Sequence, residues 1–421
     1  MRRFLARLDR PVWVLLSGIL FIHLAAFLLN PFFSIILASE KGLSLGRVGL
    51  VLGAGSVAYL VGSLIGGTLS DRLGRKITMI GGLLIRAVGM LTFLWVDSFA
   101  LLFTANLIAG VGEGLYMPPA KAGIAELVTQ EQKTTAFSYR GIAANIGVTL
   151  GPVLGTYLLT GSSRYLFLAS AVVSLGVAVA HFLLLPLRCQ GEECPPAKTA
   201  GSLRDLLTDR PFLMFSFVTI FVWALFSQFT MSLPLRADQI GIARQIGLIF
   251  TGSSLLVILL QTPITRWFNR VMHPITAMAI GTGILGVALA SIALSASFWH
   301  LAASAVLFTL GEMFVMPTAD AIVSDLAKPE QMGTYFGVSA FVFGAGEALG
   351  NVGGGQLMEY SVGRDLLAIP WLTFGVLGVV VAVAYFALRA WKKLAAPLAP
   401  ALAKRTEEPL PTNPFRKKQK T

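Results

Sequence analysis

Runs of about 20 mostly apolar residues recur along this chain, each the length one α-helix needs to cross the hydrocarbon of a bilayer. They fall near residues 12–37, 45–69, 77–96, 99–124, 137–160 and 165–186. After a polar break they resume near 211–234, 245–267, 274–296, 299–324, 334–358 and 366–391. Membrane β-strands are about half as long and alternate in polarity. Lipid offers the backbone no other hydrogen-bonding partner, so helices remain. Composition agrees: of 421 residues 55% are hydrophobic and 13% charged, and only a low-dielectric solvent accommodates that ratio. The sequence therefore predicts an all-α membrane protein of twelve transmembrane helices in two six-helix bundles. It excludes a soluble enzyme, a disordered chain and a secreted disulfide scaffold.

The net charge of +12 is distributed between the spans. With both ends inside, inner segments hold about 25 of the 33 basic residues, among them Arg2, Arg3, Arg7, Arg10, Arg72, Arg75 and Lys76. That bias predicts cytoplasmic termini and topogenic or lipid-facing basic groups, not a nucleic-acid partner. The first run is too long for a signal-peptide core and is expected to be retained. Domain boundaries follow the breaks: a bundle over 1–186, a cytoplasmic linker over 187–210, a second bundle over 211–395 and a disordered basic tail over 396–421. Cys189 and Cys194 in the linker match no zinc spacing and read as reduced thiols.

An internal repeat is visible at an offset of 199 residues. Gly112-Glu113, Met117-Pro118 and Gln132 recur as Gly311-Glu312, Met316-Pro317 and Gln331. Gly147, Gly151 and Gly155 recur as Gly346, Gly350 and Gly354, and 16 of 44 aligned positions are identical. The two halves are parallel copies of one unit, as in transporters whose site lies at mid-membrane between repeats.

Ionisable groups deep in a span are costly and functional by default. Glu113 lies about fourteen residues into its run, near mid-depth, and Glu312 is its repeat partner. Glu347 is similarly deep in the eleventh run, Arg86 in the third, and His23 and Asn30 share a face of the first. Asn106 sits two turns before Glu113, while Lys121 follows it. Tyr59, Trp223, Gln228 and Gln261 are further polar or aromatic candidates for a cavity wall. No GxxxxGK[ST] loop is present, so ATP hydrolysis by this chain is not expected, and no cofactor or metal is implied.

The segment Gly62-Ser-Leu-Ile-Gly66-Gly-Thr-Leu-Ser-Asp71-Arg72-Leu-Gly74-Arg75-Lys76, between the second and third runs, resembles the signature loop of the major facilitator superfamily. Gly147, Gly151, Pro152 and Gly155 in the fifth run resemble the antiporter motif of its bacterial twelve-helix drug exporters. The resemblance implies that Gly66, Asp71, Arg72, Gly74, Arg75 and Glu126 form a conformational latch. In it, Asp71 faces the start of the eleventh helix near Thr334, and Arg75 reaches Glu126. It also implies that the fourth and tenth helices, with Glu113 and Glu312, line one cavity. Two departures stand out. The exporters' Arg and Gln on the fourth helix are absent from Asn106-Leu-Ile-Ala109-Gly110, and the antiporter motif ends in Gly155-Thr156.

The expected function is secondary active transport of a small organic solute across a bacterial plasma or inner membrane by a monomer, with proton-coupled efflux favoured. The alternative is a pH-independent facilitator or importer of a sugar or organic acid. A membrane-embedded enzyme or a sensor is a distant third, because the four His are scattered.

Overall fold

A computed structural model describes residues 8–128, 130–185, 208–327, 332–364 and 366–391. Residues 187–207 of the expected 187–210 linker, with both cysteines, and the expected tail over 396–421 lie outside these residues. Twelve helices of 18 residues or more are present among them. We label these α1 Arg10–Ile35, α2 Leu45–Leu73, α3 Arg75–Thr92, α4 Phe99–Glu126, α5 Gln130–Leu159 and α6 Arg164–Leu184. The rest are α7 Arg210–Thr230, α8 Ile246–Val271, α9 Pro274–Ser291, α10 Phe298–Leu326, α11 Met332–Val362 and α12 Ile369–Ala390. A two-turn helix, Ser232–Gln239, continues α7.

Ten helical segments among the described residues are long and apolar enough to cross a membrane. The two others differ for visible reasons. Helix α3 packs Arg75, Lys76 and Arg86 into 18 residues. Helix α11 is diluted by eight glycines, Glu347 and Asn351. Lipid-facing sides carry bare aliphatic side chains, as on α12 at Val376, Val379, Val380 and Val383.

The packing follows the repeat. In the first half α2 meets α4, α3 meets α4 and α6, and α1 meets α5 and α6. Each pair recurs six helices later: α8 with α10, α9 with α10 and α12, α7 with α11 and α12. Glycines set these approaches, because small residues let helix backbones close up without a hydrophobic driving force. Gly147, Gly151 and Gly155 of α5 press on α1 at Leu20–Leu24, Phe27–Leu28 and Leu28–Phe32. Their repeat partners Gly346, Gly350 and Gly354 of α11 press on α7 at Ile220–Trp223, Ala224–Ser227 and Gln228.

The halves touch through α2 with α11 and through α5 with α8, again a repeat-related pair. These contacts gather at the end of the molecule that carries the turns at 41–44, 93–98 and 160–163, here called the upper end. Ser39 Oγ donates to Asp238 Oδ2 at 2.5 Å, and Gly247 lies against Pro152 and Thr156. The turns there are tied as well: Lys41 Nζ donates to the Val96 carbonyl at 2.9 Å and to Asp97 Oδ1 at 2.6 Å, and Ser163 donates to Glu40. The Lys41 ammonium holds the Asp97 carboxyl below the usual carboxylate range, first through the hydrogen bond and then through its charge.

At the opposite, lower end, several bonds run within a half. Arg75 pairs with Glu126, Lys76 Nζ donates to the Leu185 carbonyl at 2.7 Å, and Tyr335 Oη donates to Asp209 Oδ2 at 2.5 Å.

Candidate functional site

A cavity of about 350 Å³ lies between the halves, walled by α1, α2, α3, α4, α7 and α11. Its polar side chains come from all six of those helices, α7 contributing Thr230. His23 and Asn30 enter from α1, Ser56 and Tyr59 from α2, Arg86 from α3, Asn106 and Glu113 from α4, and Glu347 and Asn351 from α11. Polar and apolar side chains share the wall, and convergent polar groups of fixed position are what orient a small molecule in such a site.

Arg86 is buried and organises the first-half side of this wall. Its Nε points at Glu113 Oε2 across 3.4 Å, and its Nη1 donates to Ser174 Oγ at 2.6 Å. Ser174 in turn donates to the Ser170 carbonyl at 2.8 Å, so the guanidinium is anchored to α6. A cation this deep persists only when paired and hydrogen-bonded. At 3.4 Å this contact is longer than a regular N–H···O bond, and Glu113 retains acceptor capacity toward the cavity.

His23 Nδ1 lies 2.8 Å from the Ile19 carbonyl. A carbonyl can only accept, so Nδ1 carries the proton and Nε2 of the neutral ring is free to accept from the cavity. His23 and Glu113 lie within electrostatic reach of one another. Asn106 is spoken for on one side: its Nδ2 donates to the Val51 carbonyl at 2.7 Å and ties α4 to α2. Glu347 faces the Ser56 hydroxyl and lies within electrostatic reach of Glu113, so two carboxylates from different halves share one cavity.

Glu312 is placed differently. It is half-buried on α10 and is not among the residues lining this cavity. The repeat explains what differs around it. Gly112 abuts Gly82 and Arg86, and Gly311 abuts Gly281 and Leu285 in the same relation, so Leu285 stands where the first half has Arg86. Among the described residues Glu312 has no ion-pair partner.

Of the residues singled out from sequence, Tyr59 lines the cavity. Gln228 and Gln261 bond to the Gly350 and Met313 carbonyls at 2.8 and 3.1 Å, and Trp223 packs against Gly346. Arg86 of α3 is a cavity group. Sequence reasoning missed Ser56, Ser174 and Asn351. A serine in an apolar run carries no signal of its own, whereas Asn351, an amide mid-helix, carries one.

Around the loop motif, Gly66 packs on the Leu115 backbone, and Gly74 adopts φ +92° in the turn joining α2 to α3, a conformation side chains disfavour. The side chains of Asp71, Arg72 and Thr334 lie outside the described residues. Pro152 is buried in α5, and Thr156 Oγ1 donates to its carbonyl at 2.9 Å.

Comparison with known proteins agrees with this architecture. The chain is 27% identical over 375 residues to the multidrug resistance protein MdtH of Aeromonas salmonicida, covering 87% of this chain and 92% of that one. It is 28% identical over 396 residues to the MFS-type transporter YqjV of Bacillus subtilis, covering 86% and 92%. Among solved structures it superposes on the nucleoside transporter NupG with a TM-score of 0.78 at 15% identity, over 90% of this chain and 100% of that one. A POT family transporter superposes with a TM-score of 0.75 at 12% identity, over 95% and 99%. The model of the Major Facilitator Superfamily matches residues 15–244 and 231–420, nearly the whole chain. The protein is a multi-pass membrane transporter, not an enzyme, and it belongs to the Major Facilitator Superfamily.

Proposed function

We propose that this transporter exports a small, largely apolar organic solute and that protons drive the cycle. The observation that carries the reading is the pair of carboxylates, Glu113 and Glu347, facing one inter-half cavity with a single arginine paired to the first. Glu113 is held beside Arg86 and suits contact with a donor group of the solute. Glu347 has no ion-pair partner among the described residues and is the better proton carrier. His23 Nε2 is the second proton acceptor at the cavity wall. Glu312, half-buried on α10, is a third carboxyl available to the cycle. The naming of several relatives as multidrug resistance proteins supports efflux of amphipathic compounds.

The architecture we assign is two pseudo-symmetric six-helix bundles, 1–186 and 211–395, in one bacterial inner-membrane subunit with both termini cytoplasmic. In that orientation the lower end faces the cytoplasm. The halves are then fastened on the outside, and this conformation is the inward-open member of an alternating-access pair. Of the latch residues Gly66, Asp71, Arg72, Gly74, Arg75 and Glu126, the Arg75–Glu126 pair is formed here within the first half and positions the loop, and Asp71 reaching the start of α11 would secure the opposite, outward-open state. The close packing of Gly147, Gly151, Pro152 and Gly155 on α1 seats His23 against the cavity.

Flux in liposomes tests the reading. The purified chain should move amphipathic cations and neutral drugs against a gradient only when a pH difference is imposed. Glu347→Gln should abolish the dependence on pH while leaving solute binding. Equal flux with and without the pH difference would favour the facilitator reading instead.

A further inference from the structure

A second cavity, of about 270 Å³, opens on the outer surface of the first half between α1 and α6, away from the central site. Its walls are Val14, Phe21, Val173, Val177 and Ala180, with Ser17 and two glycines, Gly18 and Gly176. Ser17, Phe21 and Gly176 at the rim are exposed, and this face of both helices is turned outward, where a membrane protein meets acyl chains.

At the base lies His181, fully buried, with neither ring nitrogen in a hydrogen bond of regular geometry. The main-chain group that interacts with the ring is that of Val14, whose carbonyl also receives the Ser17 hydroxyl at 2.9 Å. One ring nitrogen can turn to that carbonyl, and the other has no partner in any tautomer. Behind the ring, the Tyr116 hydroxyl is also buried and unpaired, with ring centroids 5.8 Å apart. Gly18 makes the room: a Cβ there would stand 2.6 Å from the Tyr116 oxygen and 2.7 Å from His181 Cε1. Two unpaired polar groups in a membrane protein's interior are destabilising unless something satisfies them.

We infer that the α1–α6 cavity is a membrane-accessible binding site for a lipophilic alcohol or phenol, whose hydroxyl bonds His181 and whose hydrocarbon fills the groove. The shape argues for this class. The cavity holds a ring or a short branched chain, most of the wall offers dispersion contacts, the Ser17 hydroxyl at the rim is already bonded to the Val14 carbonyl, and the imidazole of His181 lies at the base. A charged head group has no counter-ion there, since no lysine, arginine or acid lines the cavity. A plain acyl chain would leave the imidazole unsatisfied.

The probe is an octanol bearing a diazirine, photolysed with the full chain in nanodiscs and mapped by mass spectrometry. Adducts are expected on Val14–Phe21 and Val173–His181, competed by 4-tert-butylphenol and poorly by the matching hydrocarbon, tert-butylbenzene. Gly176→Leu fills the groove from its open side, where a Cβ meets nothing within 4 Å, and should abolish these adducts. It should leave labelling of the lipid-facing valines of α12 unchanged. His181→Phe should remove the phenol's advantage over the hydrocarbon, about fivefold or more for one buried hydrogen bond. If it misfolds, Gly176→Leu and the competition pair still decide. Labelling of the groove no stronger than that of α12, or equal competition by phenol and hydrocarbon in the wild type, would overturn the proposal.

Discussion

Glu359, near the end of α11, accepts the backbone N–H of Gly46 at 2.6 Å in the first turn of α2. The same carboxylate oxygen takes the Ser44 hydroxyl at 2.8 Å. A helix N-terminus leaves backbone donors unpaired and favours negative charge, so α11 caps α2 across the junction of the halves. Replacing the acid with Ala should weaken the upper closure by about 1.5–3 kcal/mol, the scale of a charge-assisted bond. Spin labels on the outer ends of α2 and α11 should then show a longer-distance population in Glu359→Ala. An unchanged distance distribution would mean that the cap is incidental to closure.

Below that cap the backbones themselves meet. A Cβ on Gly49 would stand 2.2 Å from the Asn351 carbonyl oxygen, whereas one on Gly67 of the same helix meets nothing within 4 Å. Gly49→Ala should therefore pry α2 from α11 and suppress flux, at a cost of about 1–3 kcal/mol for overpacking. Gly67→Ala should be silent. Thermal unfolding and liposome flux on the two variants check this, and equal behaviour would refute it.

Arg86 and Leu285 occupy repeat-equivalent places beside Glu113 and Glu312. Converting the first half to the second, Arg86→Leu, strands the Glu113 carboxylate and should destabilise the protein by about 3–5 kcal/mol. Adding Glu113→Gln should recover most of that loss, because it removes the unpaired charge. A double-mutant cycle by thermal denaturation measures the coupling. Additive losses would show that Arg86 acts through Ser174 alone.

Much of the helical layout was legible because a hydrophobic run of fixed length is a one-dimensional signal. The repeat carried information of a second kind. Matching Gly147, Gly151 and Gly155 with Gly346, Gly350 and Gly354 pointed to equivalent packing, and each set does press on the first helix of its half. The boundaries of α5 and α11 were less legible. Helix α5 begins at Gln130, well before its apolar run, because its opening residues Gln130-Glu-Gln-Lys-Thr-Thr are polar helix that hydropathy does not register, and α11 runs on to Val362, past its own run. Facing was not legible at all. Glu113 and Glu312 look equivalent by depth and motif, yet Glu113 lines the central cavity and Glu312 does not, because orientation depends on neighbours distant in sequence. Arg86 shows the same limit: burial beside Glu113 and Ser174 is a three-helix property.

The final prediction concerns the lower end. Lys121 on α4 and Asp320 on α10 are repeat partners of opposite charge, one in each half. They lie within electrostatic reach of one another, with Arg140 of α5 acting on both. Lys121 and Asp320 are exposed in this conformation. In the alternating-access cycle proposed above, closing the lower end brings the fourth and tenth helices together, and attraction between these groups would then favour the closed arrangement. Partial burial on closure raises the strength of that attraction above its value in water. Asp320→Lys would place three cations at the junction, and the lower end should stay open. Flux should fall, and cysteines facing the cavity should remain reactive from that side. Adding Lys121→Asp restores the opposite signs in reversed order and should recover flux, since attraction does not depend on which half carries which charge. A double variant as inactive as Asp320→Lys would show that the individual side chains matter for another reason, and the gate assignment would fail.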